Sequence, residues 1–488
     1  ENDEWWGEGF TDWTTVRGAK PLFDGHIQPE IPLNDNYYDL MDKETMRSQF
    51  NLMQKYGVDG ICIYHYWFKE GRQILEKPAE NLLTWKDLNI QYCFCWANET
   101  WTRTWSNFGD SNVWAAKYEK NGNYDDSGIL LEQQYGNGKE WERHFNYLLP
   151  FFRDERYIKY EDKPVFVIYR PNLIFCLEEM MELWDLSAKE NGFAGVYFIF
   201  ANCTQREEKL ADLILIHEPQ YTFNHSNIKK IDSDKIYGIY DYAVVADKSL
   251  KFVSKEPNVA YGGFVGYDDT PRRGKKGVAI INRTSDQFKE YMRCLLAKNE
   301  AAGSPYVFIN AWNEWGEGMH LEPDKYYKED CLQAIQDAKG NYSTEVENYR
   351  ELLKTPTIRN ESDQKNKYMI YTEILHNWLL KKERGKKFAD YLKTFNIRSV
   401  AVYGLGILGK HFISELKDSD LLIKYAIDEA EDVRANAKIP VYKKEQIMKL
   451  DVDAIVVTVI YDYESIKNEL KKYTGTKIMS LEQIVMEC

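Results

Sequence analysis

Long apolar runs and basic charge are both scarce in this chain of 488 residues. A helix that crosses a membrane needs about 20 consecutive apolar residues, and the sequence has no run of that kind, so no transmembrane segment is expected. Lys and Arg number 63 against 77 Asp and Glu, which gives a net charge of −14. Nucleic acids and anionic membranes bind clustered Lys and Arg, so this balance argues against either partner.

The eight cysteines form no C-x-x-C pair and have no spacing to His that is typical of a zinc site. Cys62, Cys93 and Cys95 lie in predicted strands, and the others are scattered. Reduced, buried thiols are therefore expected, no metal is predicted, and the cytoplasm is the favoured location. The sequence starts at Glu1 without a Met, and a fragment and a processed chain both remain open.

Aromatic residues are abundant: they form 15% of the chain, with 35 Tyr and 14 Trp. This load exceeds the need of a core and suits surfaces that bind carbohydrate. At about 150 residues per domain, the length allows about three domains, although a barrel can absorb well over 250 residues.

The most informative stretch is residues 306–318, where a short apolar run closes in a cluster of Trp, Asn, Glu and Gly. A strand that runs into polar residues is typical of the C-terminal end of a barrel strand. Glu314 and Glu317 are the predicted catalytic carboxylates, because paired carboxylates cleave or form glycosidic bonds. For both to act on one substrate the backbone must turn sharply, and Gly316 and Gly318 permit this.

The tryptophans of the same cluster, Trp312 and Trp315, offer flat apolar faces on which a sugar ring can stack. A plain alternative is a pair of solvated loop glutamates beside two tryptophans that only pack. The rest of the chain favours the functional interpretation.

Strand-like runs alternate with helical segments along the first two thirds of the chain. Seven runs are expected to be strands: residues 58–67, 90–99, 163–170, 195–202, 211–219, 260–274 and 306–318. Helices are expected between them, for example at 43–56, 141–152 and 177–191. This order predicts an α/β protein with a (β/α)8 TIM-type barrel whose first strand is missing from the chain. Residues 5–32, rich in Trp and Gly without a period, are expected to be a rim loop or lid.

Polar side chains follow most of these strands. His65 and His217 either bind sugar hydroxyls or cap the barrel, and Asp268, Asp269 and Arg272 either orient the substrate or brace a loop. With the residues around the glutamates, the predicted substrate-binding set is His65, Trp96, Asn98, Glu99, His217, Asp268, Asp269, Arg272, Trp312, Asn313 and Trp315.

The last third of the chain predicts a helical linker followed by a separate small domain. Residues 341–397 are charged and helix-forming, and are expected to be a helical linker with a helix at 368–382. Residues 398–488 predict a small Rossmann-like domain, in which Gly404, Gly406 and Gly409 follow a strand and Asp428 follows the next. Nucleotide binding at these residues and an inert or docking domain both remain open.

Several motifs resemble a known family. Residues 96–103 (WANETWTR), 267–273 (YDDTPRR), 312–318 (WNEWGEG) and the opening WWGEGFT at 5–11 are similar to the WbsX-type proteins of bacterial surface-polysaccharide synthesis. The likeness covers about the first 340 residues, so the expected domains are 1–340, 341–397 and 398–488. WbsX-type proteins are in turn similar to the family 99 glycoside hydrolases, the endo-α-mannosidase and endo-mannanase group.

The resemblance implies roles for the two carboxylates. Glu314 would help a sugar 2-hydroxyl to attack its own anomeric carbon, and Glu317 would act as acid and then as base. Relatives carry a further strand, Tyr-Leu-Pro-Gln-Phe-His, before the opening loop, and its absence here supports a truncated start.

The function expected from these observations is a glycosyltransferase or transglycosidase of surface-polysaccharide synthesis, acting on a sugar donor and a glycan acceptor, with a lipid-linked acceptor as one option. The barrel chemistry is expected to need no cofactor. Two alternatives stay open: an endo-acting retaining α-glycosidase with a substrate-assisted mechanism, and a glycan-binding scaffold without turnover.

Overall fold

The computed structural model describes residues 8–102, 129–204, 206–231, 235–357, 362–417, 419–429, 439–460 and 463–488. The opening Trp5-Trp6-Gly7 and Arg103 of the predicted motifs lie outside these residues. The chain divides into two compact units, Glu1–Leu173 with Glu178–Asn360, and Glu361–Cys488 with the short segment Ile174–Leu177.

The first unit is a mixed α/β structure built around parallel strands that follow one another in chain order. Their bounds are β1 (Gly60–Trp67), β2 (Gln91–Trp96), β3 (Lys163–Ile168), β4 (Tyr197–Ala201), β5 (Leu213–Ile216), β6 (Val259–Tyr261), β7 (Gly263–Phe264) and β8 (Ile309–Asn310). Strands β1 to β6 form one parallel sheet, and β7 continues the run of β6 and pairs parallel with β8. The seven predicted runs therefore all contain strand, the sixth interrupted at Gly262 and the seventh shortened.

Apolar sequence explains why these strands form. Strands β3, β4 and β5 are buried almost throughout, as expected of parallel strands that are covered on both faces. Strands β1 and β8 keep half-exposed residues. Among the described residues no hydrogen-bonded pairing joins β8 to β1, so a parallel α/β sheet is shown, whereas a closed eight-stranded barrel is not.

Helices alternate with the strands of the first unit. They are α1 (Asp12–Gly18), α2 (Lys43–Lys55), α3 (Lys77–Thr84), α4 (Gly138–Phe152), α5 (Leu177–Glu190), α6 (Gln220–His225), α7 (Tyr242–Lys251), α8 (Thr270–Arg273), α9 (Ser285–Ala302), α10 (Asp330–Asn341) and α11 (Val346–Leu353). Short strands complete the unit at Gln73–Ile74, Trp101–Thr102, Ile129–Leu131, Lys159–Tyr160, Gly238–Asp241, Val278–Ile281, Asn313–Glu314 and Met319–His320.

Helix α1 corrects the prediction that residues 5–32 are only a loop or lid. Thr11 precedes the helix and forms a capping box with Thr14, and Thr15 and Val16 are buried. A helix of two turns that is fixed by its cap and a small buried face has too few apolar residues to show a period.

The second unit contains a five-stranded parallel sheet. Its strands are β9 (Ser399–Tyr403), β10 (Leu422–Ile427), β11 (Val441–Tyr442), β12 (Ala454–Val457) and β13 (Lys477–Ser480), in the spatial order β11-β10-β9-β12-β13. Its helices are α12 (Ser362–Glu383), α13 (Phe388–Thr394), α14 (Ile407–Leu416), α15 (Tyr463–Leu470) and α16 (Leu481–Glu487). Neighbouring residues of β9 belong to different apolar clusters, Val400 to one and Ala401 to the other, so both faces of the sheet are covered.

The predicted helical linker includes residues that pack within this second unit. Trp378 of α12 and Leu392 of α13 belong to the same buried cluster as Val400 and Phe412. The division at 340 and 397 stays a prediction; along the chain, the first compact unit ends at residue 360 and the second continues from residue 361.

None of the eight cysteines, all of which lie in the described residues, forms a disulfide; Cys93, Cys95, Cys176 and Cys331 are buried, and the other four are partly exposed. None of the helices in the described part of the chain is both long and apolar enough to cross a membrane.

Candidate functional site

A tight turn carries the two predicted carboxylates. Glu314 ends the strand Asn313–Glu314, and Glu317 ends the 3-10 turn Trp315–Glu317. The strand pairs antiparallel with Met319–His320, so the chain reverses between them. Gly318 adopts a φ of 61°, and a Cβ there would lie 2.9 Å from the Asp268 nitrogen, so this position needs glycine.

Arg272 joins the two glutamates. Its Nη1 lies 2.6 Å from Oε1 of Glu317, and its Nη2 lies 3.1 Å from Oε2 of Glu314. The side chains of Arg272, Glu317 and Glu314 are 21%, 12% and 29% exposed. Because both carboxylates face one guanidinium, they border the same space, and both remain open to solvent.

Burial raises the pKa of both glutamates, because a carboxylate loses hydration there. Arg272 opposes this by favouring the charged forms. The charge of Glu317 raises the pKa of Glu314, and that of Asp269 raises the pKa of Glu317. The pair thus keeps a proton to a higher pH than free glutamates, as a general acid requires near neutral pH.

Four tyrosines surround the same carboxylates and were missed by the sequence reasoning: Tyr64, Tyr66, Tyr169 and Tyr267. Burial raises the pKa of each phenol, and the charge of Glu314 or Glu317 raises it further. The phenols therefore stay protonated, and those of Tyr64, Tyr66 and Tyr169 can donate hydrogen bonds to a bound ligand, whereas that of Tyr267 donates to Asp269 at 3.1 Å. The signal was available for two of them, since Tyr64 and Tyr66 alternate along β1 and so share a face.

His65 and Trp96 lie elsewhere. Nε2 of His65 is 2.8 Å from Nε2 of His144 in α4, and burial lowers the pKa of His65 to about 3. The Trp96 indole donates to the Trp67 carbonyl at 3.1 Å and is 2% exposed. Both predicted residues therefore pack between the sheet and α4, away from Glu314 and Glu317.

Asn98 and Glu99 have different positions. Both amide atoms of Asn98 bond to the backbone of Arg170, each at 2.8 Å, so Asn98 ties the ends of β2 and β3 together. Glu99 pairs with Arg170 at 3.1 Å, and its charge acts on Tyr169, as does that of Glu317. Glu99 therefore lies near Tyr169, a tyrosine that Glu317 also influences, and Asn98 holds the ends of the two strands together.

His217 lies beside Tyr169, with ring centroids 5.1 Å apart. Asn310 of β8 is 3.0 Å from Nε2 of His217, and burial lowers the pKa of His217 to about 4. A neutral imidazole is therefore placed next to one of the four tyrosines.

Asp268 and Asp269 brace a loop. Oδ2 of Asp268 bonds to His26 Nε2 and to Gln28 Nε2, both at 2.7 Å, and its Oδ1 accepts from Thr270. Asp269 accepts from Val278 N at 2.7 Å and from Tyr267 OH at 3.1 Å, and pairs with Arg273 at 3.3 Å. The Asp268 amide also donates to the Glu317 carbonyl at 2.6 Å, which fixes this loop to the turn.

Three further predicted residues, Trp312, Asn313 and Trp315, lie on the turn itself and differ in burial and contacts. Trp315 is 2% exposed, stacks on His320 and donates to Glu322 at 2.7 Å. Asn313 donates to Tyr38 OH at 3.2 Å. Trp312 is half-buried. Trp315 therefore supports the turn from behind, and part of the Trp312 side chain is accessible to solvent.

Asp12 was not predicted as a site residue. Its Oδ2 lies 3.2 Å from Nη2 of Arg272, so a third carboxylate faces the same guanidinium. No local pattern could reveal this contact, because the two residues are 260 positions apart.

The three predicted glycines of the second unit, Gly404, Gly406 and Gly409, differ in their surroundings. Gly404 has a φ of 90°, a Cβ at Gly406 would meet no atom within 4 Å, and a Cβ at Gly409 would lie 2.0 Å from the Gly404 carbonyl. The three positions therefore combine a tight turn, an open space and close packing of a helix against the loop. Asp428 accepts from the Leu405 amide at 2.8 Å, so the acidic residue holds the loop.

Within the described ranges, the His, Cys, Asp and Glu side chains form no group of three or more that could hold a metal ion.

Comparison with solved structures gives partial matches. The GH99 endo-alpha-mannosidase of Bacteroides thetaiotaomicron is 14% identical, and the match covers 67% of this chain and 85% of that one with a TM-score of 0.37. A structure described as a glycoside hydrolase-like protein is 12% identical, and that match covers 67% of this chain and 99% of the other with a TM-score of 0.42.

Among curated proteins, the uncharacterized protein WxcX of Xanthomonas campestris pv. campestris (strain B100) is 28% identical over 334 residues. The match covers 66% of this chain, which spans 45% of the length of that relative. WxcX of the strain ATCC 33913 matches to the same extent. The family model described as glycosyltransferase WbsX matches residues 1–335, which confirms the resemblance seen in the sequence: the chain belongs to the WbsX glycosyltransferase family.

Proposed function

We propose that the chain is a carbohydrate-active enzyme of bacterial surface-polysaccharide synthesis, a glycosyltransferase or transglycosidase in which Glu314 and Glu317 are the catalytic carboxylates. One observation carries the proposal: both glutamates lie on one tight turn and contact the same guanidinium, that of Arg272. Two carboxylates that face one space can act on one glycosidic bond. Membership of the WbsX family supports sugar substrates.

Glu317 is the proposed acid and then base. It gives a proton to the oxygen that leaves the anomeric carbon, and later takes one from the incoming hydroxyl. Its pKa is raised by burial, which supports the first step. Glu314 takes the proton of the sugar 2-hydroxyl as that oxygen bonds to the anomeric carbon and the leaving oxygen departs with the bonding electrons. When the incoming oxygen bonds to the anomeric carbon, the bond from the 2-oxygen breaks with its electrons staying on that oxygen, and Glu314 returns the proton to it.

The four tyrosines and Glu99 are the proposed neighbours of the sugar hydroxyls. A protonated phenol donates one hydrogen bond and accepts others, and its ring offers an apolar face. Trp312 is the proposed stacking surface, because Trp315 and Trp96 are both buried in packing contacts.

For the first unit we propose the (β/α)8 barrel. Its strands follow in chain order, as a barrel requires, and β1 and β8 keep half-exposed residues at the two edges beside which the predicted first strand of the barrel would lie. A cytoplasmic location is part of the proposal, since cysteines that form no disulfide suit a reducing compartment.

A second candidate function concerns the second unit, which we propose is Rossmann-like and binds a nucleotide. The order β11-β10-β9-β12-β13 with the glycine loop directly after β9 favours it. The Gly406→Glu variant tests this, because a side chain there meets no protein atom yet fills the space for a phosphate. In calorimetry, NAD and UDP-glucose should each be compared on the full chain and on this variant. Binding that the variant loses supports the site, and no binding by either chain contradicts it.

The main proposal is tested by mass spectrometry of products. The full chain is incubated with nucleotide sugars, lipid-linked acceptors and mannans, with Glu314→Gln and Glu317→Gln as matched controls. An elongated acceptor that both variants fail to make supports transfer. Free oligosaccharide released from mannan without a donor would favour the endo-glycosidase instead. Glycan binding without product under any condition would favour a scaffold and contradict the proposal.

A further inference from the structure

Asp12 is held against the carboxylate pair by a specific local structure. It is the first residue of α1, where the Thr15 hydroxyl lies 2.6 Å from the Asp12 carbonyl oxygen and 3.2 Å from its Oδ1. Its Oδ2 lies 3.2 Å from Nη2 of Arg272, the same nitrogen that lies 3.1 Å from Glu314. One amino group of the guanidinium is thus shared between two carboxylates.

Gly316 makes room for this arrangement. A Cβ on Gly316 would lie 2.5 Å from Nε of Arg272 and 2.9 Å from Oδ1 of Asp12. Any side chain at this position would push the arginine or the aspartate away. The turn that carries both glutamates is therefore shaped so that Asp12 and Arg272 can approach it.

Charged and titratable groups face the glutamate pair from every neighbouring element. Arg272 is the cation shared by three carboxylates, while Arg273 is already paired with Asp269. The facing groups are Asp12 from α1, Tyr64 and Tyr66 from β1, Tyr169 after β3, and Tyr267, Asp269, Arg272 and Arg273 from the loop around α8.

We propose that Asp12 is a positioning residue for the reaction of Glu314 and Glu317: because Asp12 also contacts the Arg272 guanidinium, less of that positive charge is available to balance the charges of the two glutamates. The inference rests on the proposed function, because it assigns the proton to a general acid. It adds a residue of α1 to a site whose other residues come from β1 and from later elements of the first unit.

The direction of the effect follows from two changes that act together. Replacing Asp12 by Asn removes a negative charge near the glutamates, which lowers their pKa. It also lets Arg272 turn fully to Glu314 and Glu317, which lowers their pKa again. The Asp12 side chain is 48% exposed, so solvent screens it and the expected shift is modest, about half a pH unit.

The first measurement is a carbon-13 NMR titration of the glutamate carboxyls in the full chain. It compares the parent protein with Asp12→Asn and with Asp12→Glu, which keeps the charge, and Glu314→Gln and Glu317→Gln assign the signals. Asp24→Asn, in an exposed loop, is the matched control. A fall of about half a unit in Asp12→Asn alone supports the inference. Unchanged titration in Asp12→Asn would overturn it, whether or not the protein turns over a substrate.

The second measurement is the pH dependence of kcat on whichever substrate the product screen identifies. A general acid loses its proton on the alkaline side, so that limb should move to lower pH in Asp12→Asn and recover in Asp12→Glu. A loss of activity with an unmoved limb would mean that Asp12 only stabilises the fold and would overturn the inference. A titration shift in a chain without turnover would leave the charge coupling intact and defeat the proposed function alone.

Discussion

Arg272 and Glu317 form a contact of 2.6 Å between Nη1 and Oε1, across 45 positions of sequence. The arginine comes from α8 and the glutamate from the turn after β8, so the contact joins the ends of two adjacent strand runs. A carboxylate that is partly buried beside a cation can exist with or without its proton near neutral pH, because burial and the cation act in opposite directions. That balance is what a residue acting first as acid and then as base requires.

Glu317→Gln is predicted to reduce turnover by about 10²–10⁴-fold, the usual worth of general acid and base catalysis. Glutamine keeps the size of the side chain and its contact with Arg272 but cannot donate an acidic proton, so ligand binding should survive. Initial rates and calorimetry with the identified glycan measure the two effects separately. Full activity on a substrate whose leaving oxygen needs protonation would show that Glu317 is not the acid.

Arg272→Met is predicted to lower the free energy of unfolding by about 1–3 kcal/mol at alkaline pH, because buried carboxylates lose their cation. Without Arg272, the pKa of both glutamates rises further above the ordinary value of 4.5. The folded state then binds more protons than the unfolded state, so the loss is small in acid and grows as the pH rises through the folded pKa.

Urea denaturation at about pH 5 and about pH 8.5 checks this pH dependence. Arg350→Met is the matched control, since the Arg350 and Glu347 side chains are 55% and 71% exposed and their pairing should contribute under about 1 kcal/mol. An equal loss for Arg272→Met at both pH values would contradict the assigned coupling.

Substitutions at two neighbouring residues of β1, His65 and Tyr66, are predicted to affect different properties of the protein. Tyr66→Phe removes a phenol beside Glu314 and should lower kcat/KM by about tenfold, the worth of one hydrogen bond, without unfolding the protein. His65→Phe removes the contact with His144 on the other face and should lower stability while kcat/KM is retained. Steady-state kinetics and melting curves separate the two. A loss of activity in His65→Phe that exceeds the loss in Tyr66→Phe would contradict the assignment of faces.

The strands could be predicted from the sequence because buried parallel strands need continuous apolar runs, and all seven runs contain strand. Predicting which face of a strand each side chain lies on also requires the alternation of residues along the strand. Residues alternate between the faces of a strand, so His65 could not share a face with Tyr64 and Tyr66, and its polar character alone pointed to the wrong side of β1.

Contacts between residues far apart in the chain could not be predicted from the sequence. The pairing of Asp12 with Arg272 depends on the path of 260 residues between them, and neither residue has a local pattern that indicates the other. Asp268 and Asp269 have a motif typical of a binding loop, yet every contact found for their carboxylates is to protein groups of the loop and its neighbours. A short polar motif cannot distinguish a brace from a ligand contact, because both need oxygen atoms at fixed positions.

Glu322 supports the turn from behind and should make stability depend on pH. It accepts hydrogen bonds from Tyr38 at 2.6 Å, from Trp315 at 2.7 Å and from Gln49 at 2.7 Å. Burial raises the pKa of Glu322 to about 7, although these donors oppose the shift. A folded pKa above the ordinary value of 4.5 means that its contribution is fully present below about pH 4.5 and is lost as the pH rises through about 7.

Glu322→Gln should therefore flatten the fall in unfolding free energy between about pH 5 and about pH 8, since glutamine resembles the protonated acid at every pH. At the lower pH the variant should lie within about 1 kcal/mol of the parent, because the Gln49 amide can reverse to match it. Glu329→Gln is the control: hydrogen bonds from Tyr56 and Lys55 lower the pKa of Glu329, so its removal should not flatten the fall. Urea denaturation across this range measures all three proteins, and parallel curves for the parent and Glu322→Gln would show that Glu322 does not titrate there.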